Sequence, residues 1–241
     1  MQYSTFAAID IGSYDVILEI FEISKKQGIR SVDKICHRME LGKDTYTLGK
    51  IRPEMEEELC RVLADFVRIM EGYRVDDYRA AASSAISEAS NSLYVLGKIH
   101  QLTGLSVTVL SNSEQRFLSY KALAAMEDNF NKIIEKGTAI LDLDGGSFQI
   151  SLFDKDALVT TQNIRMGSLR IRERLAGIQS ETEHYEEMVE ELIWNEVSSF
   201  KKMYLKDRKI ENIMLIGDVF TDSVYQNIEE KNDKNHFPRK L

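Results

Sequence analysis

Cysteine and proline are nearly absent. The two cysteines, Cys36 and Cys60, are too few for a disulfide scaffold or a Cys-built zinc site, so a reducing, cytoplasmic setting is the simplest reading. Only Pro53 and Pro238 occur, and no Gly/Ser-rich linker interrupts the chain; any two domains are therefore closely joined. No apolar run approaches the ~20 residues that span a bilayer. No basic segment precedes the apolar stretch Phe6 to Asp10, so a signal peptide is not expected. The histidines His37, His100, His184 and His236 are scattered without metal spacing and receive no role. Positive charge is also in deficit. A net charge of −8 argues against a general nucleic-acid binder, while leaving room for a small or linear anion on a local basic patch.

What remains is ordinary for a globular protein. With 43% hydrophobic and 29% charged residues, wholesale disorder is excluded. At about 150 residues per domain, the 241 residues hold one large or two small domains. The tail from Glu229 to Leu241 is polar and aperiodic and reads as disordered.

Strand-length apolar runs, Phe6 to Ile11 and Val16 to Ile23, flank a Gly12-Ser13 turn, and a weaker third strand falls between Ile29 and Leu41. A helix then starts at Pro53 with acidic residues in its first turn, and Gly72 is expected just past its stop. Its apolar positions Met55, Leu59, Leu63, Phe66 and Met70 share one face. Strand-like Tyr78 to Ala82 leads to a helix over 84–102, then a strand from Leu105 to Leu110 and a helix from Ser111 to about Met126.

The opening pattern returns halfway along. Ala8 to Ser13 is echoed by Ile140 to Ser147, each followed by a second strand and a third, the later pair being Phe148 to Asp154 and Leu158 to Asn163. A long amphipathic helix follows again, with Tyr185, Met188, Leu192, Val197, Phe200 and Tyr204 on one face, and a buried-strand pattern closes it over 211–217. Trp194 falls between these apolar positions and is expected to pack. The chain thus reads as two copies of a β-β-β-α-β unit, the second stopping early. The expected fold class is α/β: a first domain over 1–126, an incomplete second over 127–228, and the tail over 229–241.

Two Asp-containing turns, one per half, suggest a cleft. Tight Gly-Ser turns expose backbone N–H groups to phosphate, and a strand-end Asp in each could hold Mg²⁺. For one copy alone an ordinary hairpin is the commoner meaning; repetition favours phosphate. Glu114 is the candidate base for an attacking water. However, Ser111-Asn-Ser-Glu114 is also a capping box, and spacing alone favours the cap. The helix start after Ala82 could bind an anion, though Ser capping is the commoner meaning. Arg165, Arg170, Arg172 and Arg174 form a basic cluster able to neutralise a polyanion, or merely an exposed charged face.

Taken together, these segments resemble the exopolyphosphatase and guanosine-pentaphosphate phosphohydrolase family, of the actin, sugar-kinase and heat-shock ATPase superfamily. Ala7 to Ser13 is similar to that family's first phosphate loop, and Leu141 to Ser147 to its second, Asp-x-Gly-Gly-Gly-Ser. Ala82 to Asn91 looks like its Ala-Thr-Ser-Ala-x-Arg-x-Ala-x-Asn segment. Thr103 to Glu114 resembles its Thr-Gly-x strand and Ser-Gly-x-Glu-Glu-Ala-Arg helix start. Met166 to Arg170 matches its Leu-Gly-x-x-Arg.

The resemblance implies duplicated actin-like (ribonuclease H-like) domains with mixed sheets. It further implies Mg²⁺-dependent removal of terminal phosphate from inorganic polyphosphate, with guanosine pentaphosphate the alternative substrate and a homodimer the expected assembly. Glu114 takes the place of the water-activating carboxylate, reversing the cap-first reading. Asp10 and Asp142 take the metal-holding positions, and Gly12, Ser13, Gly145, Gly146 and Ser147 the phosphate-cradling ones. A sugar kinase or heat-shock-type ATPase ranks lower.

Several positions depart from the family pattern. Ser87 stands for its Arg, Asp144 for a loop Gly, Gln149 for a Glu, Tyr14 for an Asn, Phe148 for a Thr and Phe117 for an Arg, with Arg116 adjacent on another helical face. At ~4 Å and an effective dielectric of about 20, a carboxylate beside a phosphate costs about 4 kcal/mol. With the early stop, these changes open a second expectation: a fragment or decayed product that binds polyphosphate, or an intact homologue, without turnover.

Overall fold

The computed structural model describes residues 3–126, 129–179, 184–205 and 208–217. The chain runs through β1 (Ser4–Ile11), β2 (Asp15–Ser24), β3 (Gly28–Arg38), α1 (Leu41–Leu48), α2 (Pro53–Tyr73), β4 (Asp77–Ala82), α3 (Ser84–Ser87), α4 (Ser92–Thr103), β5 (Val107–Val109) and α5 (Asn112–Met126). It continues with α6 (Phe130–Ile134), β6 (Thr138–Leu143), β7 (Phe148–Asp154), β8 (Ala157–Ile164), α7 (Ser168–Gln179), α8 (Tyr185–Tyr204) and β9 (Asn212–Gly217). The expected tail, 229–241, lies outside the described residues.

The repeat read from the sequence is a repeat of topology. One sheet has the order β3-β2-β1-β4-β5 and the other β8-β7-β6-β9. In each, a hairpin and a third antiparallel strand are joined by a parallel partner on the far side of the first strand. This is the actin-like arrangement of two mixed sheets. Register makes the equivalence residue by residue. Asp10 pairs with Ile17 and Asp142 with Gln149, each one pair short of its hairpin end. Both four-residue turns close alike: Gly12 N–H donates to the Asp15 carbonyl and Asp144 N–H to the Ser147 carbonyl, each at 3.0 Å.

Alternation in β1 and β2 buries Ala7, Ile9, Ile11, Val16, Leu18 and Ile20, and the apolar stripe of α2 (Leu59, Leu63, Phe66, Met70) joins the same core. The second sheet is covered differently on its two sides. Phe148, Ile150, Leu152 and Ile164 pack with Phe200 of α8, while Ile140 and Phe153 pack with Phe130 and Ile134 of α6 and Leu123 of α5. Tyr120 of α5 meets Phe153 edge-on, and its hydroxyl pairs with the Ser151 hydroxyl. By packing, then, α5 belongs with the second sheet, and the divide falls ahead of Asn112 rather than after 126.

Local readings shift where tertiary contacts intervene. Gly72 lies inside α2, which ends at Arg74 in the left-handed conformation (φ 52°). The helix expected over 84–102 is broken between Ser87 and Ser92, because Asn91 turns inward. Its side chain accepts the Ile51 N–H (3.0 Å) and donates to the Ile51 carbonyl (2.8 Å) and to Glu56 (2.8 Å). The helices α1, α6 and α7 were not foreseen: α1 and α6 are short, and α7 reads as a run of arginines. Trp194 is 63% exposed on α8, in an apolar surface groove with Tyr185, Val189, Ile193 and Val197, instead of packing inside.

Glu56 is only 4% exposed and accepts from both Asn91 and Lys98 (3.4 Å). Removing a buried acceptor leaves its donors unsatisfied at a cost of about 1–3 kcal/mol. Glu56→Ala is therefore expected to lower stability by about 2 kcal/mol, read as a reduced urea midpoint with unchanged slope.

Candidate functional site

The two hairpin turns pack against each other, and this contact organises the site. Gly12, Ser13, Gly145 and Gly146 are all buried, Ser147 is half-buried, and Ser13 is 0% exposed. A Cβ on Gly145 would meet the side chains of Ser13, Tyr14 and Leu169; one on Gly146 would collide with the Tyr46 hydroxyl and Ser84. Glycine at these two positions is thus a requirement of close approach. The Ser13 hydroxyl lies 2.7 Å from that of Tyr46, which lies 2.8 Å from that of Ser84. Burial pushes the Tyr46 phenol upward, against the stabilising Ser13 and Ser84 contacts. Ser13, expected to cradle phosphate, spends its hydroxyl inside the fold.

Each turn is also capped by a helix from its own repeat. The Ser13 carbonyl accepts Gly42 N–H at the start of α1, and the Gly145 carbonyl accepts Leu169 and Arg170 N–H at the start of α7. From α7, arginines reach across to the first unit. Arg170 stacks on the Tyr46 ring (3.8 Å), donates to the Gly146 carbonyl (2.8 Å) and forks onto Glu88 (3.0 and 3.1 Å), which Arg165 also holds. Arg172 forks onto Glu40 (2.6 and 3.0 Å) and reaches the Tyr14 hydroxyl (3.2 Å). Arg172 holds the Glu40 carboxyl below the usual carboxylate range. Glu40 itself sits in the left-handed region (φ 53°), uncommon for a side chain with Cβ. Three members of the basic cluster are therefore matched to carboxylates of the first unit; Arg174 is exposed.

Beside the second turn, α5 and the strands β6 to β8 border a small, partly open polar cavity of about 20 Å³. It is lined by Asn112, Gln115, Arg116, Asp142, Asp144, Ser147, Gln149 and Asn163. Of the residues expected from sequence, Asp142 and Ser147 are here; Asp10 is exposed and is not in the lining. Arg116 faces this cavity and Phe117 points to solvent, so the helical face that seemed the wrong one carries the cation. Asn112, Gln115 and Asn163 were missed. Their only signal was position, two at the first turn of α5 and one at the end of β8.

Glu114 is exposed at the start of α5 and closes the capping box. Its Oε2 accepts the Ser111 N–H (2.9 Å) and hydroxyl (2.7 Å), while Glu114 N–H donates to the Ser111 hydroxyl (3.3 Å). These donors hold its carboxyl below the ordinary value of 4.5. The residue is ionised at neutral pH and engaged as a cap, the reading that spacing favoured.

The cavity also tests the implied metal. Among the described residues, no group of three or more His, Cys, Asp and Glu side chains is poised around a metal position. Mg²⁺ asks for less: one or two carboxylates and further hard oxygens. Asp142, Asp144, Ser147 and the carboxamides supply that set, and Asn163 Oδ1 is buried with no hydrogen-bond partner. The donor set fits. The Asp144 carboxylate accepts the Gly145 N–H at 2.6 Å.

Two actin-like sheets meeting through paired Asp-bearing turns define the class. The model of the Ppx/GppA phosphatase family matches residues 19–239, and the chain belongs to that family. Among curated relatives, the bifunctional 3-dehydroquinate synthase/phosphatase of Fusobacterium nucleatum is 22% identical over 238 residues, 93% of this chain and 34% of its own length. Exopolyphosphatase 1 of Mycobacterium leprae is 25% identical over 144 residues, 59% of this chain and 41% of its own. The chain thus spans about a third to two fifths of the length of these relatives. Among solved structures, an exopolyphosphatase from Cytophaga hutchinsonii superposes with a TM-score of 0.77 at 19% identity, over 97% of this chain and 73% of that one. The Aquifex aeolicus Ppx/GppA family member gives 0.70 at 22%, over 98% and 72%. At such identities these likenesses establish the fold. No helix among the described residues is long and apolar enough to cross a membrane.

Because the folded-state pKa of Glu114 is depressed, its cap contributes above the ordinary value and is lost as pH falls through the depressed one. Ser111→Ala is expected to move the Glu114 carboxyl titration upward toward 4.5, followed by carboxyl-carbon NMR.

Proposed function

We propose that the chain is a phosphoanhydride hydrolase of the exopolyphosphatase type, removing the terminal phosphate of inorganic polyphosphate, with guanosine pentaphosphate the alternative substrate. The observation that carries this reading is the polar cavity between α5 and the second turn. It sets an arginine, two carboxylates and a hydroxyl next to the helix start that bears Glu114. Membership in a phosphatase family supports the hydrolase class.

In this reading Glu114 leaves Ser111 and turns toward the phosphate end. It then accepts the proton of a water attacking the terminal phosphorus in line with the departing oxygen. Its ionised state at neutral pH supplies the base form, at some loss of basicity. Arg116 answers the negative charge of the phosphoryl oxygens, and Ser147 and the turn amides orient them. Asp142 and Asp144 would hold Mg²⁺, with Asp10 the further candidate from the first turn. When bound, the ion offsets phosphoryl charge and lowers the barrier to attack. A cytoplasmic homodimer is the setting we infer.

A second reading, binding without turnover, is favoured by a specific observation. Asp144 occupies an amide of the second turn, Glu114 is held in its cap, and Glu40 and Glu88 pair with Arg172 and Arg170 of α7. Phosphate release from long-chain polyphosphate with Mg²⁺, compared with Glu114→Gln, separates the two. Hydrolysis that falls at least 100-fold in the variant is the expected result, on the scale of a lost general base. A folded protein that binds polyphosphate yet releases no phosphate, before and after the paired change Asp144→Gly with Ser87→Arg, would sink the hydrolase reading.

A further inference from the structure

We propose that the apolar groove along the first half of α8 is the seat of a later stretch of this same chain, residues 218–228. They follow β9 directly and lie outside the described residues. The proposal does not depend on the hydrolase reading.

The first unit supplies the comparison. There α2 buries residues from Glu56 to Met70, and α4, which follows β4, packs against it. Val95 and Ile99 of α4 enter the same core as Leu59 and Leu63 of α2. Asn91, just ahead of α4, and Lys98 within it both bond Glu56 near the start of α2. In the second unit α8 holds the place of α2, yet Phe200 is its one buried residue. Tyr185, Val189, Ile193 and Trp194 line the groove along the opening turns of α8, the part that α4 covers on α2. Val197 belongs both to the groove and to the core around Phe200, so the groove is the open end of that core. Contiguous apolar surface of this kind marks a docking site.

Three observations choose the occupant. The crossover from β8 to β9 joins parallel strands, so α8 runs against both, and β9 ends where α8 starts. Residues 218–228 leave the sheet there, in the sequence position that α3 and α4 hold after β4. Phe220, Val224 and Ile228 recur every four residues, the spacing of one helix face, and the family match continues to residue 239. A second copy would compete with a segment tethered beside the groove at high effective concentration.

Trp194 is the only tryptophan, so the groove carries its own reporter. The test is Trp194 emission and acrylamide quenching in the full chain, with amide exchange read over 218–228. In the unaltered chain the emission is expected to lie to the blue of free tryptophan and to resist quencher. Dilution should leave it unchanged, and exchange should be slow at 220–228. Phe220→Ser and Val224→Ser should each shift the emission to the red and lose the protection, with circular dichroism retained. Gln226→Ser, on the opposite side of the same spacing, should leave both as they are. A water-exposed emission in the unaltered chain overturns the proposal, as does fast exchange across 220–228; these readings decide even where a variant fails to fold. Protection that fades on dilution assigns the groove to a second copy. Protection kept in both folded serine variants assigns it to another part of the chain. Either result overturns the proposal too.

Discussion

Everything near the site depends on one contact, the packing of the two hairpin turns against each other under the arginines of α7. Glycine at 145 and 146 allows the approach, and the hydroxyls of Ser13, Tyr46 and Ser84 fill the gap beneath it. Arg170 then closes the top, stacked on Tyr46 and forked onto Glu88. Shielded charge-assisted hydrogen bonds of this kind contribute about 1.5–3 kcal/mol each, and truncating one partner strands the other. The geometry links the two repeats where a family phosphate site would lie, so substrate access and inter-unit contact are the same question.

That coupling explains why the basic cluster was hard to interpret from sequence. Four arginines in ten residues suit a polyanion or an exposed face equally well. Their actual partners, Glu40 and Glu88, lie far upstream and carry no local mark. Glu40 sits at a left-handed bend before a short helix, and Glu88 in the break between α3 and α4. Neither break is visible in the apolar pattern, because both are produced by tertiary contacts: Glu40 by Arg172, and the α3–α4 break by Asn91 holding Ile51 and Glu56.

The fold was far more legible. Strand alternation in Ala7, Ile9 and Ile11, and its return in Ile140 and its neighbours, reports a backbone buried on one face, and periodicity records that directly. Even the matching places of Asp10 and Asp142 survive to the level of strand register. What sequence could not convey was which sheet α5 would join. Its apolar residues Tyr120 and Leu123 are compatible with either, and only the aromatic edge offered by Phe153 and Phe130 decides it.

The assignment of α5 matters because it makes the site asymmetric. Although the two repeats share topology and turn geometry, α5 is laid beside the second turn, bringing Arg116, Gln115 and Asn112 to Asp142 and Asp144. The first turn has its serine buried among hydroxyls and its aspartate exposed. A duplicated scaffold thus holds two unequal halves: one turn supports the contact between units, and the other retains the polar groups from which chemistry can be built. An added carboxylate at 144 reads differently in that setting. Beside a phosphate it is a repulsive charge; here it edges a small polar cavity, and its carboxylate accepts the Gly145 N–H at 2.6 Å.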